Sequence, residues 1–69
     1  MNPSKITYAS WEGEAALLAH YADGRIHGFL YMNEQWGEAN AADIATKATS
    51  LDKEVFEKMF PGVGLPSFG

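Results

Sequence analysis

The sequence predicts an α+β fold: a small three-stranded antiparallel meander over residues 5–32, followed by one or two C-terminal helices that pack on one sheet face. Three observations predict it. Residues 5–32 hold three strand-like runs separated by the turn signals Glu12-Gly13 and Asp23-Gly24. Residues 40–60 change to helical spacing, with helix-capping residues in front. The chain has 69 residues and no cysteine, which suits one domain with no covalent staple.

The first strand is Lys5–Trp11, rich in β-branched and aromatic residues. Glu12-Gly13 makes a tight turn. Ala15–Ala22 is the second run, and Arg25–Met32 the third. A helix over Glu14–Tyr21 is the rival reading, because alanine and leucine are the best helix formers. Ser10 would cap that helix and Gly24 would end it.

The meander is preferred on a register argument. With Asp23 and Gly24 as a two-residue turn, Leu18 faces Phe29, Leu17 faces Leu30, and His20 faces His27. With Glu12 and Gly13 as the first turn, Tyr8 faces Leu17 and Ile6 faces Ala19. Side chains alternate between the faces of a sheet. One face then carries Ile6, Tyr8, Ala15, Leu17, Ala19, Tyr21, Ile26, Gly28, Leu30 and Met32, apolar but for a tyrosine hydroxyl.

Asn40-Ala41-Ala42-Asp43 resembles a capping box with Asp in the Glu position. Ala41, Ile44, Ala45 and Ala48 fall on one helix stripe, small enough for close approach to a sheet. Ser50 is expected to cap a second helix carrying Leu51, Val55, Phe56, Met59 and Phe60 on its apolar side. Alternatively, Thr49-Ser50 is only a kink in one long helix. Glu54 and Lys58 are a favourably ordered i,i+4 pair, and Pro61-Gly62 stops the helix. Residues 61–69 form a Gly/Pro-punctuated tail.

The opposite sheet face would carry Thr7, Ala9, Trp11, Ala16, Leu18, His20, Arg25, His27, Phe29 and Tyr31. Aromatic residues with arginine are enriched in interface hot spots, and apolar patches of this kind mark interfaces. The candidate protein-binding residues are therefore Trp11, Leu18, Phe29 and Tyr31 as anchors, with His20, Arg25 and His27 around them. Four uses compete for this face. The tail or second helix covers it as a second small core, a second copy covers it in a homodimer, another protein docks on it, or it takes a small molecule or stacks a nucleobase, for which the basic groove is missing. The opposed histidines read as two neutral, half-exposed rings packed beside aromatics; the sharper readings are a pH-sensitive pair or half of a metal site, but no third ligand joins them, so no metal is expected.

Nine acidic against five basic residues give a net charge of −4. The basic residues are scattered, which disfavours direct nucleic-acid binding and anionic membranes. No apolar run long enough for a signal peptide or membrane span follows Met1, so a cytoplasmic location is expected. Ser10, Ser50 and Thr7 lack a nucleophile context, no phosphate loop occurs, and Glu12 and Glu14 read as solvated turn residues. No catalytic residue and no cofactor is expected.

These features imply a non-enzymatic protein-binding module, an inhibitor or adaptor that occupies a partner's surface. In size and composition the chain is similar to small phage and mobile-element proteins that block host machinery, anti-CRISPR-type inhibitors among them. The alternatives are an assembly protein that homo-oligomerises through its aromatic face, and a small enzyme or ligand-binding chain whose site forms only across a dimer.

Overall fold

The computed structural model describes residues 1–68. The chain is α+β, with more strands than the sequence predicts. Strands β1 (Lys5–Trp11), β2 (Glu14–His20), β3 (Ile26–Met32) and β4 (Gln35–Ala39) form a meander. Helix α1 (Ala41–Lys47), strand β5 (Thr49–Leu51) and helix α2 (Lys53–Met59) follow. The sheet is antiparallel with the order β4-β3-β2-β1-β5.

Position in that order explains the sequence of β2. It is the central strand, and Ala15 through Ala19 are all buried. A strand covered on both faces loses its alternation and reads as a continuous apolar run. That run mimics a helix in composition, but residues 14–20 are strand.

The first turn closes as expected. Glu12 and Gly13 have φ of 52° and 81°, a type I′ geometry, and Tyr8 stands opposite Leu17. The second turn does not. Only Gly24 takes a positive φ, 93°. Asp23 stays out of the left-handed region, and its carboxylate accepts the Arg25 backbone N–H at 3.1 Å. The Gly24 N–H donates to the Tyr21 carbonyl at 3.0 Å, and Tyr21 N–H donates to Arg25 at 2.9 Å. This is a three-residue loop, a type I turn followed by a glycine bulge. The register between β2 and β3 is therefore one residue away from the expected one: Leu17 faces Phe29, Leu18 faces Gly28 and Ala19 faces His27. A one-residue slip exchanges the faces of the whole strand. Ile26, Gly28, Leu30 and Met32 leave the expected core face, and His27, Phe29 and Tyr31 join it.

The helices lie on opposite faces, not on one. Ile44 of α1 packs on Ala9, Ala16 and Leu18, with Trp11, Leu30, Ala39, Ala41 and Ala48 around them. Phe56 of α2 meets Tyr8 on the other face of the sheet, the rings tilted by 50° with centroids 4.9 Å apart. Leu17, Ala19, Tyr21 and Phe29 form the core on that second face, closed by Ile6, Trp36 and Phe68. Strand β5 makes the exchange of faces possible, because it carries the chain from one side of the sheet to the other at the β1 edge. Ser50 sits in this strand, and Asp52 takes the N-cap position of α2 without a side-chain capping bond. Asn40 does cap α1, its Oδ1 accepting the Asp43 N–H at 3.1 Å.

Candidate functional site

The register separates the residues expected to share one surface. Trp11, Leu18 and His20 lie on the face covered by α1, while His27, Phe29 and Tyr31 lie on the face covered by α2 and the tail. Leu18 and Phe29 are only 7% and 5% exposed, so both are core. Phe29 meets Phe68 edge-on at 5.6 Å, and Tyr31 meets Trp36 edge-on at 5.2 Å. The Trp36 indole N–H donates to the Val63 carbonyl at 2.9 Å, which ties the tail under β3 and β4. Of the uses weighed for the aromatic face, cover by the chain's own tail accounts for Phe29.

The histidines are not neighbours. His20 stands opposite Ile26, and its Nε2 lies 2.8 Å from the Thr7 hydroxyl. His27 lies on the other face, its ring 5.1 Å from that of Tyr21. Among the described residues no three His, Asp or Glu side chains gather in a metal-binding cluster. The Thr7–His20 contact brings a hydroxyl to an imidazole, yet no carboxylate bonds the other ring nitrogen among the described residues. Thr7 and His20 belong to neighbouring strands, so the bond ties β1 to β2 at the sheet end.

Arg25 is held in the β2–β3 loop. Its Nε donates to Asp23 Oδ2 at 2.7 Å, and the guanidinium lies 5.0 Å from the centroid of the Tyr21 ring. The Arg25 backbone N–H, and then its guanidinium, lower the Asp23 carboxyl below its ordinary pKa.

One concave surface retains the expected interface chemistry. Trp11, Leu30 and Met32 line a cleft of about 270 Å³ with Glu12 and Glu14. It opens at the end of the sheet, beyond α1. The register builds it: Trp11 stands opposite Glu14, and Met32 opposite Gln35. Extending the β2–β3 pairing by two residues sets Glu14 beside Met32. Met32 is 50% exposed. The next turn, Asn33-Glu34, adds another acidic side chain at the same end. The ion pairs among the described residues are Arg25–Asp23 and Lys47–Asp43. Glu12, Glu14 and Glu34 thus meet no cation there, and no lysine or arginine lines the cleft.

Trp11 is among the expected interface anchors, whereas the expected register puts Leu30 and Met32 on the core face. The signal for Met32 is its place next to Asn33-Glu34, which both take positive φ and turn the chain into β4. A larger hollow of about 360 Å³ lies between α2 and the tail, lined in part by Tyr8, Phe56, Phe60 and Leu65. Lys53 and Glu57 on its rim offset one another in charge, so it selects no charged partner.

Comparison of the chain with protein-family models, with curated proteins and with solved structures finds no match. No helix among the described residues is long and apolar enough to cross a membrane.

Proposed function

We propose that this chain is a non-enzymatic protein-binding module that occupies a basic surface of another protein, as an inhibitor or adaptor does. The observation that carries the reading is the Trp11–Leu30–Met32 cleft with carboxylates at its rim and no cation among its lining residues. Tryptophan is enriched among residues that dominate binding energy. A methionine side chain adapts its shape to a partner. Unpaired carboxylates around an apolar centre steer a basic partner and reject an acidic one.

The test is capture from lysate of the cells that express the chain, with the chain and a Glu14→Lys/Met32→Ser variant as parallel baits. Both replaced side chains are exposed, so the variant is expected to fold. The reading requires a protein retained by the first bait, lost from the variant, and released by raised salt. Identical captures by both baits would refute it.

A further inference from the structure

Strand β4 ends the sheet, and its chemistry is that of an open edge. Asn33 and Glu34 form a two-residue turn with φ of 55° and 63°. In such a hairpin the closing pair, here Met32 and Gln35, is hydrogen-bonded. Bonded and non-bonded pairs alternate, so Gln35, Gly37 and Ala39 turn their backbone groups toward β3. Trp36 and Glu38 turn theirs outward. Among the described residues no hydrogen bond engages those outward N–H and C=O groups. The edge carries no proline or lysine, and its one charged side chain is Glu38.

Gly37 adds a second observation. Glycine weakens a strand interior and is retained where another backbone or a ligand approaches closely. At Gly28 the reason lies within the chain: a Cβ would stand 2.8 Å from the Ala39 carbonyl oxygen and 2.9 Å from Ile44 Cδ1. At Gly37 a Cβ would meet nothing within 4 Å, and φ is not positive. Neither internal packing nor the backbone angle calls for glycine there. Gly37 stands opposite Leu30 on the cleft face, and a shallow trough lined by Leu30, Met32, Gln35, Gly37 and Glu38 connects β4 to the cleft.

We infer that the partner engages this chain as an added β-strand on β4, through an extended segment alternating basic and apolar residues. This rests on the reading of the cleft as a site for a basic partner. The Trp36 and Glu38 backbone groups supply main-chain hydrogen bonds, the means by which strand addition gains affinity. Gly37 leaves the cleft face of β4 open beside the incoming strand. Alternate apolar side chains of the segment reach over Gly37 toward Leu30, Met32 and Trp11. Its cations project from the opposite face, the side on which Glu38 stands opposite Phe29, and Glu34 lies at the turn end of the same edge. Charge selects the occupant: no lysine or arginine lies on β4 or on the turns Glu12-Gly13 and Asn33-Glu34.

Two probes test the inference on the isotope-labelled full chain. One is an octapeptide alternating lysine and leucine, also prepared with alternate backbone nitrogens methylated. The other is a lysine–leucine peptide of helical spacing. The expected result is saturable binding of the alternating peptide, with shifted and exchange-protected Trp36 and Glu38 amides. Methylation is expected to weaken it at least about tenfold, the effect of losing one or two hydrogen bonds. If the helical peptide binds at Trp11 and Met32 and methylation costs the alternating one nothing, the cleft reading stands and strand addition falls. If neither peptide perturbs Trp11, Met32 or β4, both fall. A concentration-dependent dimer in sedimentation that protects the same amides without peptide would make a second copy the occupant, and would also overturn the inference.

Discussion

Ile44 Cδ1 lies 2.9 Å from the point where a Cβ on Gly28 would stand. Helix α1 therefore rests on the β3 backbone itself. The close approach seats Ile44, only 1% exposed, over Ala9, Ala16 and Leu18. The two strand glycines should respond in opposite ways to one added methyl group. Gly28→Ala forces α1 off the sheet and is expected to cost about 1–3 kcal/mol, the usual range for overpacking. Gly37→Ala meets open space and is expected to be neutral or to stabilise by up to about 1 kcal/mol. Urea unfolding of the two variants measures both.

Phe29 and Met32 provide the next contrast. Both belong to β3, but Phe29 is 5% exposed between Leu17 and Phe68, and Met32 faces solvent. Phe29→Ala is expected to cost about 3–5 kcal/mol, enough to unfold much of a marginal domain. Met32→Ser is expected to stay within about 0.5 kcal/mol, as surface changes usually do. Equal losses in the two variants would mean that β3 faces the other way.

The capping bond of Asn40 gives a local prediction. Its Oδ1 accepts the Asp43 N–H, one of the donors that the start of a helix leaves free. Asn40→Ala is expected to destabilise the chain by about 0.5–2 kcal/mol. Asp52 makes no such bond at α2, so Asp52→Ala should cost less. Thermal unfolding of the pair orders the two caps.

Asp23 carries the pH prediction. The Arg25 N–H and guanidinium hold its carboxyl below the ordinary value. A carboxyl depressed in the folded state adds stability above its unfolded pKa, and loses it as pH falls through the folded value. Arg25→Ala removes the guanidinium and keeps the backbone bond. The Asp23 midpoint, followed by carbon NMR, is expected to rise part of the way toward normal. An unchanged midpoint would show that the guanidinium does not contribute.

The sequence made some elements legible and hid others for physical reasons. Glu12-Gly13, Asn40 and the Pro61-Gly62 stop act through local chemistry, and the first register followed from the first turn alone. The second register hung on whether Asp23 would accept a positive φ. Its carboxylate found a bond that kept it out of that region, and one bulge moved Phe29 into the core. Strand β4, Gln-Trp-Gly-Glu-Ala, has little intrinsic strand preference; pairing with β3 organises it. Strand β5 is three residues long, and Ser50 in it resembles a cap. Of the expected interface residues, Trp11 alone lines the cleft, because that surface depends on the register.

The most direct test of the central claim is a binding titration. The chain and its Glu14→Lys/Met32→Ser variant would be compared with the alternating lysine–leucine octapeptide, following Trp11 and the β4 amides by NMR. The expected result is saturable binding to the chain that weakens at least tenfold in an equally folded variant, about 1.4 kcal/mol or more. Equal binding by both, or shifts confined to the α2 hollow around Phe56 and Phe60, would contradict the assignment of this cleft as the binding site.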